Sequence, residues 1–336
     1  MAAAAAHQEI LTKPPRALGR LETLSIQLAG ITGQACPSMA RKAILVMAGD
    51  HGVVAEGVSA FPAEVTPQMV LNFLNGGAAV NVLGRHVGAR VVVTDVGVAA
   101  DLDAEGLRSR KVRPGTANMA QGPAMTREEA LSALQVGIDL VAEEIANGLN
   151  LIAIGEMGIG NTTPSAALVA VLTGQPVERV TGRGTGISEQ VLAHKVRVIE
   201  RALALNAPDP TDPLDVLAKV GGLEIAAMAG VILAAAFHRR PVVLDGFISG
   251  AAALVAARLN PLVTDYLFPS HLSVEQGHRI VLDALGLEPF FDLEMRLGEG
   301  SGAALAMGLI EASAKLLGEM ATFAGAGVST AAEQGR

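Results

Sequence analysis

The chain passes from an apolar run to a glycine-rich run within the stretch Leu149-Asn-Leu-Ile-Ala-Ile-Gly-Glu-Met-Gly-Ile-Gly-Asn-Thr-Thr163. The same change occurs three more times, each time with an acidic residue beside a glycine. The other runs are Ala43–Ala48 before Asp50, Arg90–Thr94 before Asp95, and Pro241–Leu244 before Asp245. Continuous apolar runs of this length are typical of strands covered on both faces, as in a parallel sheet.

Helical periodicity separates these runs. Glu128–Ile145 and Ser188–Leu205 carry apolar residues at three- and four-residue spacing, and Thr126 is the predicted N-cap of the first. The alternation predicts an α/β fold with a doubly wound, mostly parallel sheet. We expect a large α/β catalytic domain over residues 36–316. The helix-prone chain ends, residues 1–35 and 317–336, are expected to form a small helical subdomain.

Composition limits the function classes. The chain has 336 residues, half of them apolar, no Trp, one Tyr and a net charge of −8. The negative charge and the scarcity of aromatic residues argue against nucleic-acid binding. The one cysteine, Cys36, excludes an internal disulfide and a multi-cysteine metal site.

A membrane location is not expected either. The longest uninterrupted apolar run, Ala226–Phe237, is shorter than the roughly 20 residues of a membrane span. The N-terminal residues lack the basic and apolar regions of a signal peptide. The expectation is therefore a cytoplasmic protein without a membrane partner.

The acidic residues after the four runs predict where a ligand binds. In an open parallel sheet, ligands bind outside the carboxyl ends of the strands. One such acid alone could simply cap the helix that follows it. Four of them together predict a crevice lined by carboxylates.

The glycine-rich end of the opening stretch predicts a phosphate site. Backbone N–H groups between a strand and a helix bind anions, and the candidates here are Gly155, Gly158, Gly160, Asn161 and Thr162. Asn161 stands where a P-loop requires lysine, and no G-x-G-x-x-G follows a strand, so nucleoside triphosphate hydrolysis and dinucleotide binding are disfavoured. A monophosphate fits better. The alternative is that the glycines serve only tight packing.

Two cations are candidate partners for that phosphate. Arg183 lies in a second glycine-rich stretch, Gly182–Gly186, and Lys195 lies in the helix that follows it. An acidic protein that binds an anion needs local positive charge. The alternative is that both side chains are solvated surface charges.

Glu299 is the candidate general base. It has a glycine on each side and precedes an apolar helix, Ala303–Leu317. The glycines allow a ligand to approach the carboxylate, whereas a purely structural turn would more often use Asn or Asp. Neighbouring leucines are predicted to raise its pKa and favour proton abstraction, namely Leu293, Leu297 and Leu305.

The seven histidines form no recognisable metal motif. H-E-x-x-H is absent, and no metal site is predicted. A serine hydrolase is disfavoured because no G-x-S-x-G occurs. His51 and His271 both follow predicted strand ends, and their roles are left open.

Several long segments, taken in order, resemble the nicotinate-nucleotide–dimethylbenzimidazole phosphoribosyltransferases. They are residues 13–22 (KPPRALGRLE), 49–58 (GDHGVVAEGV), 155–163 (GEMGIGNTT), 219–224 (KVGGLE), 244–248 (LDGFI), 269–273 (PSHLS) and 295–304 (MRLGEGSGAA). The resemblance runs over nearly the whole chain. It implies transfer of the phosphoribosyl group of nicotinate mononucleotide to 5,6-dimethylbenzimidazole, which yields α-ribazole 5′-phosphate and nicotinate in cobalamin nucleotide-loop assembly.

The resemblance also implies a Rossmann-like large domain, a homodimer and no tightly bound cofactor. By the same resemblance the general base is Glu299, the acid beside the phosphate loop is Glu156, and the phosphate-binding lysine is Lys195. Phe61 and Met69 stand where other members can have Ser and Gln facing the incoming base. They would make that pocket more apolar.

One further residue assignment and two alternative functions accompany this interpretation. Asp245 is the further substrate-site acid and, with Glu156, the next candidate for the base. An N-glycosyl hydrolase (nucleosidase) would use water in place of the benzimidazole. A non-catalytic protein would only bind a base or nucleotide.

Overall fold

The computed structural model of the protein describes residues 1–184 and 186–330. Its sheet has six strands in the order β3-β2-β1-β4-β5-β6, and every neighbouring pair is parallel. The strands are β1 (Lys42–Gly49), β2 (Ala89–Gly97), β3 (Arg108–Ser109), β4 (Leu151–Met157), β5 (Val242–Leu244) and β6 (Leu267–Pro269). The four predicted runs form β1, β2, β4 and β5. The predicted doubly wound α/β class is confirmed.

The helices between the strands cover the sheet. They are α1 (Ala2–Ile10), α2 (Arg20–Thr32), α3 (Val65–Leu74), α4 (Ala79–Val87), α5 (Arg127–Ala146), α6 (Thr162–Thr173), α7 (Val177–Val180), α8 (Glu189–Asn206), α9 (Pro213–Val220), α10 (Leu223–Phe237), α11 (Phe247–Leu259), α12 (Gly277–Leu285), α13 (Ser301–Glu319) and α14 (Phe323–Ala326). Two short 3-10 helices span Gly52–Glu56 and Pro261–Tyr266. Thr126 caps α5 as predicted, because its hydroxyl accepts from the Glu129 N–H at 3.1 Å.

Alternate residues of β1 point into two separate cores. Leu45 and Met47 pack with α5, α6, α10 and α11 on one face. Ile44 and Val46 pack with α2 and α13 on the other. Burial on both faces is why the strand is apolar at every position rather than at every second one.

The two chain ends lie against each other. Leu11 and Thr322 form an isolated antiparallel bridge, and Ala4, Ala29 and Leu317 share a small apolar cluster. However, α2 also contributes to the core beneath the sheet, and α13 runs across the predicted boundary between residues 316 and 317. The separate helical subdomain stays a proposal. Residues 331–336 of it lie outside the described residues.

The strand order reverses between β1 and β4, and the functional residues collect there. Glu156 is the penultimate residue of β4, whereas His51, Asp245 and His271 follow the ends of β1, β5 and β6. Such a reversal opens a crevice between the loops that leave the sheet in opposite directions. In the part of the chain that the structure describes, no helix is long and apolar enough to cross a membrane.

Candidate active site

A cavity of about 340 Å³ opens at the carboxyl edge of the sheet. This size is within the usual range for small-molecule sites. Its lining includes most of the predicted site residues: Phe61, Met69, Glu156, Gly158, Asn161, Thr162, Asp245, Leu297 and Glu299. The segments that supply them are up to 238 positions apart in the chain (Phe61 to Glu299).

Three buried carboxylates form the floor of the cavity. Glu156 Oε1 accepts a hydrogen bond from the Glu299 backbone N–H at 3.4 Å, and the Asn161 amide donates to Glu156 Oε2. Burial, followed by the charge of Asp245, raises the pKa of Glu156 to about 8. Glu156 therefore holds a proton at neutral pH unless a positive charge comes close to it.

Asp245 fixes the start of α13. Its carboxylate accepts from the N–H groups of Gly302 at 2.7 Å, Ala303 at 3.1 Å and Gly300 at 3.2 Å. Burial raises the pKa of Asp245 to about 7, although these three donors oppose the shift. The side chain thus acts as an N-terminal helix anchor within the cavity wall.

Glu299 lies in a turn where three consecutive residues have positive φ. The angles are +88° at Gly298, +64° at Glu299 and +97° at Gly300. A glutamate in this conformation is strained, and such strain is common at functional sites. Its Oε2 accepts from the Val80 N–H at 3.2 Å, in the first turn of α4. The turn thereby directs the carboxylate into the cavity wall.

Burial raises the pKa of Glu299, in the predicted direction. Of the leucines predicted to contribute, Leu297 lines the cavity together with Glu299, whereas Leu293 is 59% exposed and does not line it. A Cβ at Gly155 would lie 2.1 Å from the Glu299 carbonyl oxygen, so the turn rests directly on the strand.

The glycines of the predicted phosphate loop serve close packing. Gly155 lies within β4 rather than in the loop. A Cβ at Gly158 would lie 2.3 Å from the Gly49 carbonyl oxygen, and one at Gly160 would lie 2.6 Å from Val54 Cγ2. Gly158 also lines the cavity, whereas Gly155 and Gly160 are not among its lining residues. The packing alternative accounts for these three positions.

A buried cation lies beside the cavity but is not among its lining residues. Lys195 is buried, and its Nζ donates to Thr162 Oγ1 at 2.7 Å and to the Gly182 carbonyl at 3.5 Å. Thr162 is the first residue of α6, where free N–H groups and the helix dipole favour an anion. Burial lowers the pKa of Lys195 to about 8, and the Glu275 charge opposes that shift.

Arg183 is not brought into this cluster. Its side chain is exposed and forms an ion pair with Glu189 on the surface. Thr185, in the same glycine-rich stretch, lies outside the described residues. The cation that lines the cavity is Arg296, whose guanidinium donates to the Gly184 carbonyl at 3.1 Å. Sequence reasoning passed over Arg296, although it directly precedes the Leu-Gly-Glu-Gly turn.

Two further residues near the lysine were missed. Ser273 and Glu275 line the cavity, and both are buried. Glu275 Oε2 has no hydrogen-bond partner within the described residues. They could have been found from their position, because they follow the end of β6 by four and six residues and so lie at the same edge of the sheet as the other acids.

The mouth of the cavity is apolar. Phe61, Val65, Met69 and Met157 line it together with Leu297. Phe61 is about half exposed, so a planar ligand could cover it and remove its ring from water.

His271 belongs to the cavity wall. Its ring stacks on Phe291 at 6.2 Å between centroids, and its Nδ1 lies 2.9 Å from Ser270 Oγ. Burial lowers the pKa of His271, so the imidazole is neutral. Within the described residues, no group of three or more His, Cys, Asp or Glu side chains is placed to hold a metal ion.

An α/β fold with a carboxylate-lined cavity at the carboxyl edge of its parallel sheet is typical of enzymes that act on small molecules. A family model described as phosphoribosyltransferase matches residues 1–328, and the chain belongs to this family. The chain is 62% identical to the nicotinate-nucleotide–dimethylbenzimidazole phosphoribosyltransferase of Geobacter sulfurreducens, over 98% of this chain and 94% of that protein. It is also 62% identical to the protein of the same name from Chloroflexus aggregans, over 97% and 93%.

Solved structures agree with this assignment. A crystal structure of CobT from Thermus thermophilus superposes with a TM-score of 0.94 at 54% identity and covers 98% of both chains. A structure of the nicotinate-nucleotide–dimethylbenzimidazole phosphoribosyltransferase from the same organism gives 0.92 at 52% identity, again over 98% of both chains.

Proposed function

We propose that this protein transfers the phosphoribosyl group of nicotinate mononucleotide to 5,6-dimethylbenzimidazole and releases nicotinate and α-ribazole 5′-phosphate. The reaction serves the assembly of the cobalamin nucleotide loop. The observation that carries the proposal is one cavity lined by three buried carboxylates, by Arg296 and by Thr162, whose hydroxyl accepts from the buried Lys195 behind it. The names of the relatives support the same activity.

The donor nucleotide matches this separation of charge. Its 5′-phosphate binds between Lys195 Nζ and the N-terminus of α6, beside Thr162 and Arg296. Its nicotinate ring is attached through a cationic nitrogen, which lies near Glu156 and Asp245. That positive charge favours the ionised form of Glu156 and displaces its proton.

The carboxylates then act on the reaction itself. Cleavage of the N-glycosidic bond builds positive charge on the ribose, and ionised Glu156 stabilises that charge. Nicotinate leaves with a neutral ring nitrogen, so no strong general acid is needed. The benzimidazole attacks from the opposite face, which inverts the anomeric carbon from β to α.

Glu299 accepts the proton that the attack releases. As one ring nitrogen of the base bonds to the ribose, the N–H of the other nitrogen becomes acidic. The raised pKa of Glu299 suits a general base. The apolar mouth around Phe61 and Met69 receives the benzimidazole and holds both substrates in line.

We infer a homodimer that acts in the cytoplasm without a tightly bound cofactor. The reaction breaks one carbon–nitrogen bond and forms another. It involves no oxidation or reduction, and for this reason we propose that no cofactor is needed.

Product analysis tests the proposed function. Purified protein, nicotinate mononucleotide and dimethylbenzimidazole are expected to yield nicotinate and α-ribazole 5′-phosphate in equal amounts. Omission of the base should stop nicotinate release. Continued release without the base would identify a hydrolase, and no release in either case would identify a binding protein.

A further inference from the structure

A buried histidine–glutamate pair lies behind Gly158 of the cavity wall, and the proposed chemistry does not use it. His51 Nε2 is 2.7 Å from Glu224 Oε1, and the two residues are 4% and 0% exposed. His51 follows β1, and Glu224 lies in the first turn of α10. Desolvation makes a buried ion pair costly compared with apolar side chains of the same size. The pair therefore calls for an explanation other than stability.

The pair packs against the turn that carries the active-site residues. A Cβ at Gly158 would lie 3.1 Å from His51 Nε2 and 3.4 Å from Glu224 Oε1. The Gly158 carbonyl accepts from the Asn161 N–H at 3.1 Å, and the Asn161 amide donates to Glu156. A continuous series of contacts thus joins the pair to Glu156.

The pair also acts on Glu156 through its charge. The titratable groups around Glu156 are Asp245 after β5, Glu299 before α13, and the His51–Glu224 pair between β1 and α10. After burial and Asp245, the Glu224 charge is a further cause of the raised pKa of Glu156. Burial alone would lower the pKa of His51, but the charge and hydrogen bond of Glu224, together with the charge of Asp50, raise it above the ordinary value.

We propose that His51 and Glu224 are positioning residues for the phosphoribosyl transfer, an inference that rests on the function proposed above. Their pair holds the Gly158–Asn161 turn against the cavity, and the Glu224 carboxylate controls the ionisation of Glu156. Neither side chain lines the cavity or contacts the reacting atoms.

The Glu224→Gln variant tests the effect of charge. The amide keeps the shape of the carboxylate and removes its negative charge, so Glu156 ionises at lower pH. We expect the acidic limb of kcat/KM for nicotinate mononucleotide to move to lower pH by about one unit. The pH dependence of nicotinate mononucleotide binding, measured by calorimetry, should shift in the same direction. An unmoved limb would overturn the electrostatic part of the proposal.

Variants of His51 test the mechanical effect. His51→Ala removes the contact with Glu224 and should lower kcat by about 10- to 100-fold, the range found when partners that orient active-site ligands are removed from metal sites. His51→Gln places an amide nitrogen near the former Nε2 position and should recover most of that loss. Equal activity of the two variants would overturn the positioning role. If His51→Ala does not fold, the pH profile of kcat/KM for Glu224→Gln tests the proposal instead.

A second buried pair supplies the matched control. Lys13 Nζ lies 3.0 Å from Glu22 Oε1, both residues are buried, and neither lines the cavity. Glu22→Gln should lower the unfolding temperature and leave the pH limb in place. A limb that moves equally in this variant would refute a specific role for Glu224.

Failure of the inference is distinct from failure of the proposed function. If the wild-type protein forms no α-ribazole 5′-phosphate, the proposed function is wrong. If the wild type forms it and the Glu224→Gln limb does not shift, only the inference is wrong.

Discussion

Two regions of the site contrast: a cationic end, where Lys195 lies behind Thr162, and an acidic end, where Glu156 lines the cavity; burial shifts the pKa at both. Burial lowers the pKa of Lys195 to about 8 at the cationic end, and it raises the pKa of Glu156 to about 8 at the acidic end. At neutral pH Glu156 is therefore mostly protonated and neutral, whereas Lys195 is still mostly charged. A ligand cation beside Glu156 favours its ionised form, and a phosphate beside Lys195 favours its charged form. This favours a nucleotide with a cationic base over a simple anion.

The largest effect is expected at the acidic end, from Glu299→Gln. The amide keeps the size of the side chain but cannot take a proton, so turnover should fall by roughly 10²–10⁴-fold. The loss should appear in kcat rather than in the KM for dimethylbenzimidazole, measured by steady-state kinetics.

A nearby acid in the same segment gives the control for that variant. Glu294 is exposed and does not line the cavity, so Glu294→Gln should leave turnover unchanged. Turnover of Glu299→Gln within a few-fold of wild type would remove Glu299 as the base and leave Glu156 or Asp245.

At the cationic end, Lys195→Ala should weaken nicotinate mononucleotide binding by about 1.5–3 kcal/mol, the range for a hydrogen bond to a charged group. Nicotinate riboside, which lacks the phosphate, should bind both proteins equally in calorimetry. Arg183→Ala should change neither affinity, because that side chain pairs with Glu189 on the surface. Equal losses for nucleotide and riboside would place the phosphate elsewhere.

The pKa of Glu156 and that of Lys195 are both about 8, so the affinity for nicotinate mononucleotide should follow a bell-shaped curve against pH. Below that pH Glu156 keeps its proton, and above it Lys195 loses its own. Nicotinate mononucleotide should therefore bind most tightly near pH 8, with up to about tenfold weaker binding per pH unit on either side.

Two ligands that each carry only one of the two charges test the acidic and the alkaline side of that profile separately. Ribose 5-phosphate carries only the anion, so its affinity should be nearly constant between about pH 7 and pH 8, above the second pKa of the phosphate, and decline above pH 8. Nicotinate riboside carries the ring cation without the phosphate, so its affinity should increase through pH 8. A profile for nicotinate mononucleotide that stays flat from pH 6 to 10 would contradict the assignment of both ends.

The smallest effect concerns the apolar mouth, which lies outside either charged end. Each methyl of dimethylbenzimidazole that becomes buried near Phe61 and Met69 should add about 0.8 kcal/mol to binding. Bare benzimidazole should accordingly compete less well, and Phe61→Ala should reduce the difference. Preference for adenine in direct competition would show that these side chains do not select the base.

Local patterns predicted four of the six strands and the functional edge of the sheet. β1, β2, β4 and β5 are mostly apolar because both of their faces are covered, and each segment shows this burial by itself. β3 consists of two exposed residues, and β6 is as short as β5 but lacks the acid and glycine that follow β5 in the sequence. The acids at the strand ends were also predictable, since parallel strands end at one edge.

Packing between distant segments decided the rest. Glu156 and Glu299 are 143 positions apart, yet the backbone of one binds the side chain of the other. Arg296 lines the cavity, whereas Arg183 pairs with Glu189 on the surface. Both are cations close to glycines in the sequence, so local sequence does not distinguish them, and their positions depend on how their loops fold. The reason is physical: local periodicity reports whether a segment is buried, whereas the pKa of a buried acid depends on which charges other segments bring near it.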